Sequence, residues 1–274
     1  MNNKTGPKMK LAKKYKETII SLVCGLGLIT ILVIIWEAAA INGWEYSKIF
    51  PPPSRFLKQL YDDGFKIGLG SQAASIQQSI MSSILRVLAG LFLGLIASFL
   101  FGFFVQSNIW LKRFMMPVVR ILAPVAPVAW IPLALVLFGI GNQTAIFIVF
   151  MGVFFTLTIA VVRAIETVPA NLINSAKTLG ATQFQIWYKV VFPSVLPNVF
   201  TILRLNFIAA WMAVLAAEMT GLQDGLGAII MTGRNLFNNE MILMGMVLIG
   251  VTGFLFDSLL KSIQDKFLWW DKKN

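Results

Sequence analysis

The chain has 274 residues, 57% of them hydrophobic and 13% charged, with 23 Lys and Arg against 12 Asp and Glu for a net charge of +11. Soluble domains hold about 45–50% apolar and about 25% charged residues, so this composition excludes an ordinary water-soluble fold and makes lipid the main solvent. No histidine is present, which excludes imidazole metal sites, Ser-His and Cys-His nucleophiles and histidine proton relays. The single cysteine, Cys24, excludes an intramolecular disulfide and reads as a small packing residue.

Lys4, Lys8, Lys10, Lys13, Lys14 and Lys16 precede the first apolar run, from Ile19 to Ile41, which only Glu37 interrupts. A signal peptide also opens on basic residues, and Ala38-Ala39-Ala40 has the small residues of a cleavage site. Its apolar region, however, is only about 7–15 residues long, and the greater length here favours a retained span. Residues 1–18 are then a basic cytoplasmic N-terminus and 19–41 a first transmembrane helix. Residues 42–78 form an external segment whose amphipathic stretch, Pro53 to Tyr61, is too short to cross and suits the interface.

Five further runs, about 79–105, 117–140, 144–162, 196–217 and 240–260, approach the roughly 20 residues a spanning helix needs, giving six spans and an all-α polytopic membrane fold. In the second, Gly90, Gly94, Ser98 and Gly102 recur every fourth residue, a stripe for close helix contact within the protein or with a second copy. The third holds Pro117, Pro124, Pro127 and Pro132. Broken backbone at membrane depth is tolerated where it is buried in protein or lines a cavity, so Ala123 to Pro132, with Pro127 and Trp130, is either a pathway segment or a kinked structural helix. Arg204, Trp211 and Glu218 of the fifth span are further pathway candidates, since intramembrane charge is costly. Arg204 can equally snorkel and Glu218 can equally meet outside water. The piece from Leu226 to Leu236 is too short to cross and reads as re-entrant.

Cytoplasmic segments collect Lys and Arg. With both termini inside, fifteen such residues fall inside, five (Lys48, Arg55, Lys58, Lys66, Arg234) outside, and Arg86, Arg120 and Arg204 within or beside spans. That asymmetry explains the net charge without a nucleic-acid partner.

Arg163 to Pro193 then lies inside. Thr167 and Pro169 suit a helix start, Gly180 a left-handed helix end, and Thr182 with Gln185 a capping box. Phe184, Trp187 and Val191 recur at i, i+3 and i+7 on one face, and Pro193 is expected to stop the second helix. Such a helical hairpin either presents a face to a partner or lies on lipid.

The residues Asn174, Ser175, Ala176, Gly180, Val190, Phe192 and Pro193 match the spacing of the cytoplasmic Glu-Ala-Ala motif of ABC importer permeases. Asn174 and Ser175 depart from the motif at its first two positions, and Asn174 removes the usual carboxylate. Pro51-Pro52-Pro53-Ser54, Ser83-Ile84-Leu85-Arg86-Val87, Ala126 to Leu133, Ala216-Ala217-Glu218-Met219 and Gly225-Leu226-Gly227 resemble the nitrate, sulfonate, taurine and bicarbonate branch of those permeases. The resemblance covers about Pro51 to Leu268.

It implies a type I importer permease of the bacterial or archaeal cytoplasmic membrane, with a core over 79–262, coupling helices within 167–193 and a cytoplasmic tail at 263–274. Asn174, Ser175, Ala176, Lys177, Leu179, Gly180, Ala181 and Phe184 become ATPase-coupling residues. The implied partners are two ATPase subunits, a second permease copy and an external substrate-binding protein or lipoprotein. ATP and magnesium belong to the ATPase, since this chain lacks a Gly-x-x-x-x-Gly-Lys-Ser/Thr loop. The implied solute is a small oxyanion, with a neutral heterocycle such as a vitamin precursor as the alternative. A membrane-embedded enzyme would need a cluster of catalytic groups that is not seen, and a secondary transporter would show internal repeats.

Overall fold

The computed structural model describes residues 24–25, 27–42, 50–62, 66–67 and 74–267. Among the described residues the fold is all-α apart from one two-residue antiparallel pairing of β1 (Lys66–Ile67) with β2 (Ala74–Ser75). In chain order the helices are α1 (Gly27–Ile41), α2 (Pro53–Asp62), α3 (Ile76–Gln106), α4 (Ile109–Leu122), α5 (Ile131–Phe138), α6 (Asn142–Glu166), α7 (Ala170–Thr178), α8 (Gln183–Ile186), α9 (Phe192–Glu218), α10 (Leu226–Asn235) and α11 (Asn239–Phe267).

Among the described residues, four runs are long and apolar enough to cross a membrane: 76–106, 142–166, 183–218 and 239–264. The first expected span is described over 24–25 and Gly27–Ile41, and residues 19–23 and 26 lie outside the described residues. At the end of α1, Glu37 accepts hydrogen bonds from the amide and hydroxyl of Ser54, which joins α1 to the first turn of α2.

The third span is not one helix over 117–140. Its first half begins at Ile109, and α4 meets the segment Pro127–Phe138 at a bend of 98°. Pro124 and Pro127 have no amide to donate and lie at the break, whereas Pro117 is accommodated inside α4 and Pro132 in the first turn of α5. The short 3-10 turn Pro127–Trp130 fills the corner.

The core is built around α6, whose Ile148, Val149, Leu157 and Val161 are fully buried. α3 packs along it through the small-residue stripe. A Cβ on Gly90 would lie 2.5 Å from Val149, on Gly94 3.4 Å from Val153, and on Gly102 2.7 Å from Val161. The stripe therefore closes a contact inside this chain, with valines at matching positions on the facing helix. Buried Phe207, Val214 and Ala217 bring α9 into the same core, and α10 and α11 cover α9. Phe92, Leu100 and Phe104 on α3 and Val251, Phe254 and Leu255 on α11 point outward, as expected where lipid replaces water.

Candidate functional site

Two polar constructions stand at opposite ends of α9. At its beginning, α7 ends in a Schellman turn: Ala181 donates to the carbonyl of Ala176 (3.0 Å) and Gly180 to that of Lys177 (2.9 Å), with Gly180 at φ +75°. Thr182 then opens α8 with a capping box, its hydroxyl accepting from the Gln185 amide and its own amide donating to the Gln185 side chain. The start expected at Thr167 falls instead at Ala170, because Thr167 closes α6 by donating its amide to Arg163 O.

Pro193 does not end the second helix of the hairpin. Residues 187–191 form a π turn, in which Phe192 donates to Trp187 O, and the helix continues through Pro193 to Glu218. The wider turn relieves the clash that a proline ring makes with the carbonyl four residues earlier. It also changes which side chains share a face. Ile186 and Val191, five apart, are buried and Trp187 packs partly against the core, whereas Phe184 points away and is 78% exposed. Of the expected grouping, Phe184 and Trp187 line one groove, whereas Val191 turns into the core.

Ile173, Ala176 and Ala181 pack the hairpin onto the core, while Asn174, Ser175, Lys177 and Gly180 are exposed and Leu179 is 86% exposed. Phe184 and Tyr188 stack with parallel rings, 6.3 Å between centroids. With Phe103, Gln106, Trp187 and Phe192 they line a groove of about 680 Å³ between α8, the π turn and the end of α3. Lys112 and Glu166 pair on the same side, joining the start of α4 to the end of α6.

At the far end of α9 lies a charged cluster. Arg86, 3% exposed, donates from Nη1 to Glu218 Oε1 (2.8 Å) and to the backbone oxygen of Asp224 (2.9 Å), from Nε to Asn142 Oδ1 (2.7 Å), and from Nη2 to Asp224 Oδ1. Ser83 donates to Glu218 Oε1 (2.7 Å) and accepts from the Leu226 amide, while the Gly227 amide donates to Glu218 Oε2 (2.9 Å). A carboxylate borrowed from α9 thus satisfies the open N-terminus of α10. Glycine is required there, since a Cβ on Gly225 would lie 2.4 Å from Glu218 Cδ. Ser82 donates to Asp224 Oδ2 (2.7 Å). Partial burial would raise the Asp224 carboxyl, but the hydrogen bonds from Ser82 and Arg86 and the Arg86 charge outweigh it and hold the group below its ordinary value.

Glu218 is fully buried in this cluster and does not sit at open water. Arg86, its partner, was not among the pathway candidates, although a cation within the apolar run 79–105 was itself a sufficient signal. Arg204 makes a two-pronged pair with Asp257 of α11, at 3.0 and 2.8 Å. Pro127 packs on Gly152, Trp130 stacks on Phe155 (6.2 Å), and Trp211 is 4% exposed beside Gly253. The indole nitrogens of Trp130 and Trp211 are buried without a hydrogen-bond partner among the described residues. None of the five pathway candidates lines the groove beside the hairpin. Among the described residues no three Cys, Asp or Glu side chains converge that could hold a metal ion.

The sequence profile described as "Binding-protein-dependent transport system inner membrane component" matches residues 66–268. A putative ABC transporter permease protein of Methanocaldococcus jannaschii is 33% identical over 273 residues, 99% of this chain and 98% of the relative. The taurine transport system permease protein of Escherichia coli is 24% identical, covering 89% of this chain and 88% of its own length. A putative aliphatic sulfonates transport permease protein of Bacillus subtilis is 29% identical, covering 90% and 87%. Among solved structures, an inward-facing methionine ABC transporter aligns with a TM-score of 0.55 at 21% identity, over 69% of this chain and 95% of the other. A bacterial ABC transporter involved in import of alginate aligns at 0.59 and 13% identity, over 94% and 99%. At those identities the structures establish a shared fold.

Proposed function

We propose that this chain, which belongs to the family of binding-protein-dependent transport system inner membrane components, carries a small oxyanion inward and is driven through its Gly180 hairpin. Members of the family are permease subunits of ABC importers, so the chain is a multi-pass transport subunit of the cytoplasmic membrane and not an enzyme. The solute class rests on relatives named for taurine, aliphatic sulfonates and nitrate import, each an oxyanion-bearing compound. The partners in this reading are two ATPase subunits that bind ATP and magnesium, a second permease copy and an external binding protein. Both chain termini lie inside, which puts the hairpin at the ATPase and the Arg86 cluster outside.

The observation that carries the coupling role is the hairpin's division into two faces. Ile173, Ala176 and Ala181 are packed inward, and Leu179, Phe184 and Tyr188 project outward. Movement imposed on the outer set reaches the core through the inner set, and reaches α9 directly because 183–218 is one continuous helical run. Thirty-six residues make a rod of about 54 Å, long enough to cross the bilayer.

The test is uptake into vesicles containing this chain, its ATPase and its binding protein, with labelled taurine and nitrate as probes. Leu179→Asp and Phe184→Asp, at exposed positions, should leave assembly of the permease in the membrane intact and reduce ATP-driven uptake by about tenfold or more. Uptake unchanged by both substitutions would refute the coupling role. ATP-driven uptake of a neutral heterocycle, with neither oxyanion transported, would refute the solute class.

A further inference from the structure

The Arg86 cluster is built asymmetrically, and the asymmetry has a mechanical reading. Glu218 is completely buried, and its two oxygens receive bonds from Arg86, Ser83 and Gly227. Removing Arg86 from it would leave a buried carboxylate without its counter-charge, held by Ser83 and Gly227 alone, which is strongly unfavourable. Asp224 holds the same guanidinium from the other side, yet 42% of its side chain is exposed. Its own carboxylate can exchange Arg86 and Ser82 for water without being desolvated.

The backbone around Asp224 is suited to that exchange. Gly221 at φ +120° and Gly225 at φ +113° bracket the segment Leu222-Gln223-Asp224, and both conformations are ones that other residues rarely adopt. Beyond Gly225, the first two amides of α10 stay bonded to Ser83 and Glu218. Release of Asp224 therefore loosens the short stretch between Leu222, which stays buried in the core, and the start of α10, and leaves α10 in place. Arg86 is not stranded by the release, since Glu218 and Asn142 still hold it.

We propose that Asp224 is a releasable latch on Arg86, that Glu218 is the fixed anchor of the same clasp, and that parting of Asp224 from Arg86 and Ser82 opens the face opposite the hairpin during each transport cycle. Asp224 in this role is a positioning residue, acting through Arg86 and not touching solute. The proposal rests on the importer reading above, in which solute enters at that face.

The test uses cysteines at Ser82 and Asp224 in a Cys24→Ser background, the native cysteine being exposed, with the full transporter reconstituted in vesicles. The readout is ATP hydrolysis stimulated by the binding protein, which does not depend on knowing the solute. Oxidation should cross-link 82 to 224 in the nucleotide-free complex and lower stimulated hydrolysis by about tenfold, with recovery on reduction. Undiminished hydrolysis in the cross-linked complex, or no cross-link at all, overturns the latch. If the Cys24→Ser parent, with Ser82 and Asp224 intact, shows no stimulated hydrolysis, it is the importer reading that fails.

Asp224→Asn supplies an independent arm. It should raise basal hydrolysis without binding protein several-fold at an unchanged amount of assembled complex, with Asp224→Glu restoring part of the control. A fall in assembled complex with unaltered basal hydrolysis would show a purely structural contact and would also overturn the proposal.

Discussion

Alanine at the three glycines of the α3 stripe should produce a graded series set by local clearances. Nonbonded carbons rest at about 3.5–4.0 Å. A methyl on Gly90 would lie 2.5 Å from both Cβ and Cγ1 of Val149 and 3.0 Å from the carbonyl of Ile146, so α3 and α6 must part locally by about 1.0–1.5 Å to restore that spacing. Overpacking of this kind costs about 1–3 kcal/mol, and Gly90→Ala belongs at the upper end because backbone as well as side chain is in the way. Gly102→Ala meets Val161 Cγ1 at 2.7 Å and Cβ at 3.2 Å, so it should cost about 1–2 kcal/mol. Gly94→Ala reaches Val153 only at 3.4 Å. There the gain in helix propensity, up to about 1 kcal/mol, should leave stability unchanged or slightly higher. The same distances set the second-site rescues. Adding Val161→Ala to Gly102→Ala removes the nearer clash and should recover most of the loss. Adding Val149→Ala to Gly90→Ala keeps the Cβ that sits 2.5 Å from the new methyl and should recover little. Reversible unfolding in lipid bicelles, monitored by steric trapping, measures each difference. If Gly94→Ala proved as damaging as Gly90→Ala, or if Val149→Ala rescued Gly90→Ala fully, the α3–α6 contact would not have the geometry described.

Two more outcomes follow from named contacts. Arg86→Met leaves Glu218 buried beside an uncharged neighbour and should destabilise the chain by about 3–5 kcal/mol, whereas Arg86→Met with Glu218→Met should lose markedly less; yields of folded protein from detergent extraction report the order, and equal losses would count against the pair. Gly180→Ala meets no neighbouring atom but must hold φ +75°, so it should weaken the hairpin by about 1–2 kcal/mol and speed amide exchange at Gly180 and Ala181, and unchanged exchange would contradict the Schellman turn.

How much of this was legible in the sequence depends on the range of the interaction that decides each element. The Gly180 corner and the Thr182–Gln185 box were readable because each is closed by residues within five positions of one another. The small-residue stripe was readable as a contact surface, but its partner was not, since Val149 lies 59 residues from Gly90 and nothing local specifies the pairing. The expectation that Pro193 ends a helix failed because a π turn upstream moved the obstructing carbonyl, a rearrangement that no local propensity announces. The third span was correctly seen as proline-rich, but its sharp bend and its start at Ile109 required tertiary context. Glu218 stands out in the sequence by its charge, but its burial does not. Its neighbours come from α3 and from the turn into α10, 132 residues away in the case of Arg86. An intramembrane charge announces that a partner exists and leaves its identity to the fold.

The π turn at 187–191 has a consequence for how this chain can vary. Each residue added to or taken from a helix turns everything beyond it by about 100° around the axis. The azimuth of Glu218 relative to Phe184 is thus indexed by the number of residues between them, and the wide turn is one residue of phase written into that count. A single insertion or deletion between 183 and 218 would leave both ends chemically intact while aiming one of them at the wrong neighbour. The stretch is constrained in length even where its individual side chains are interchangeable.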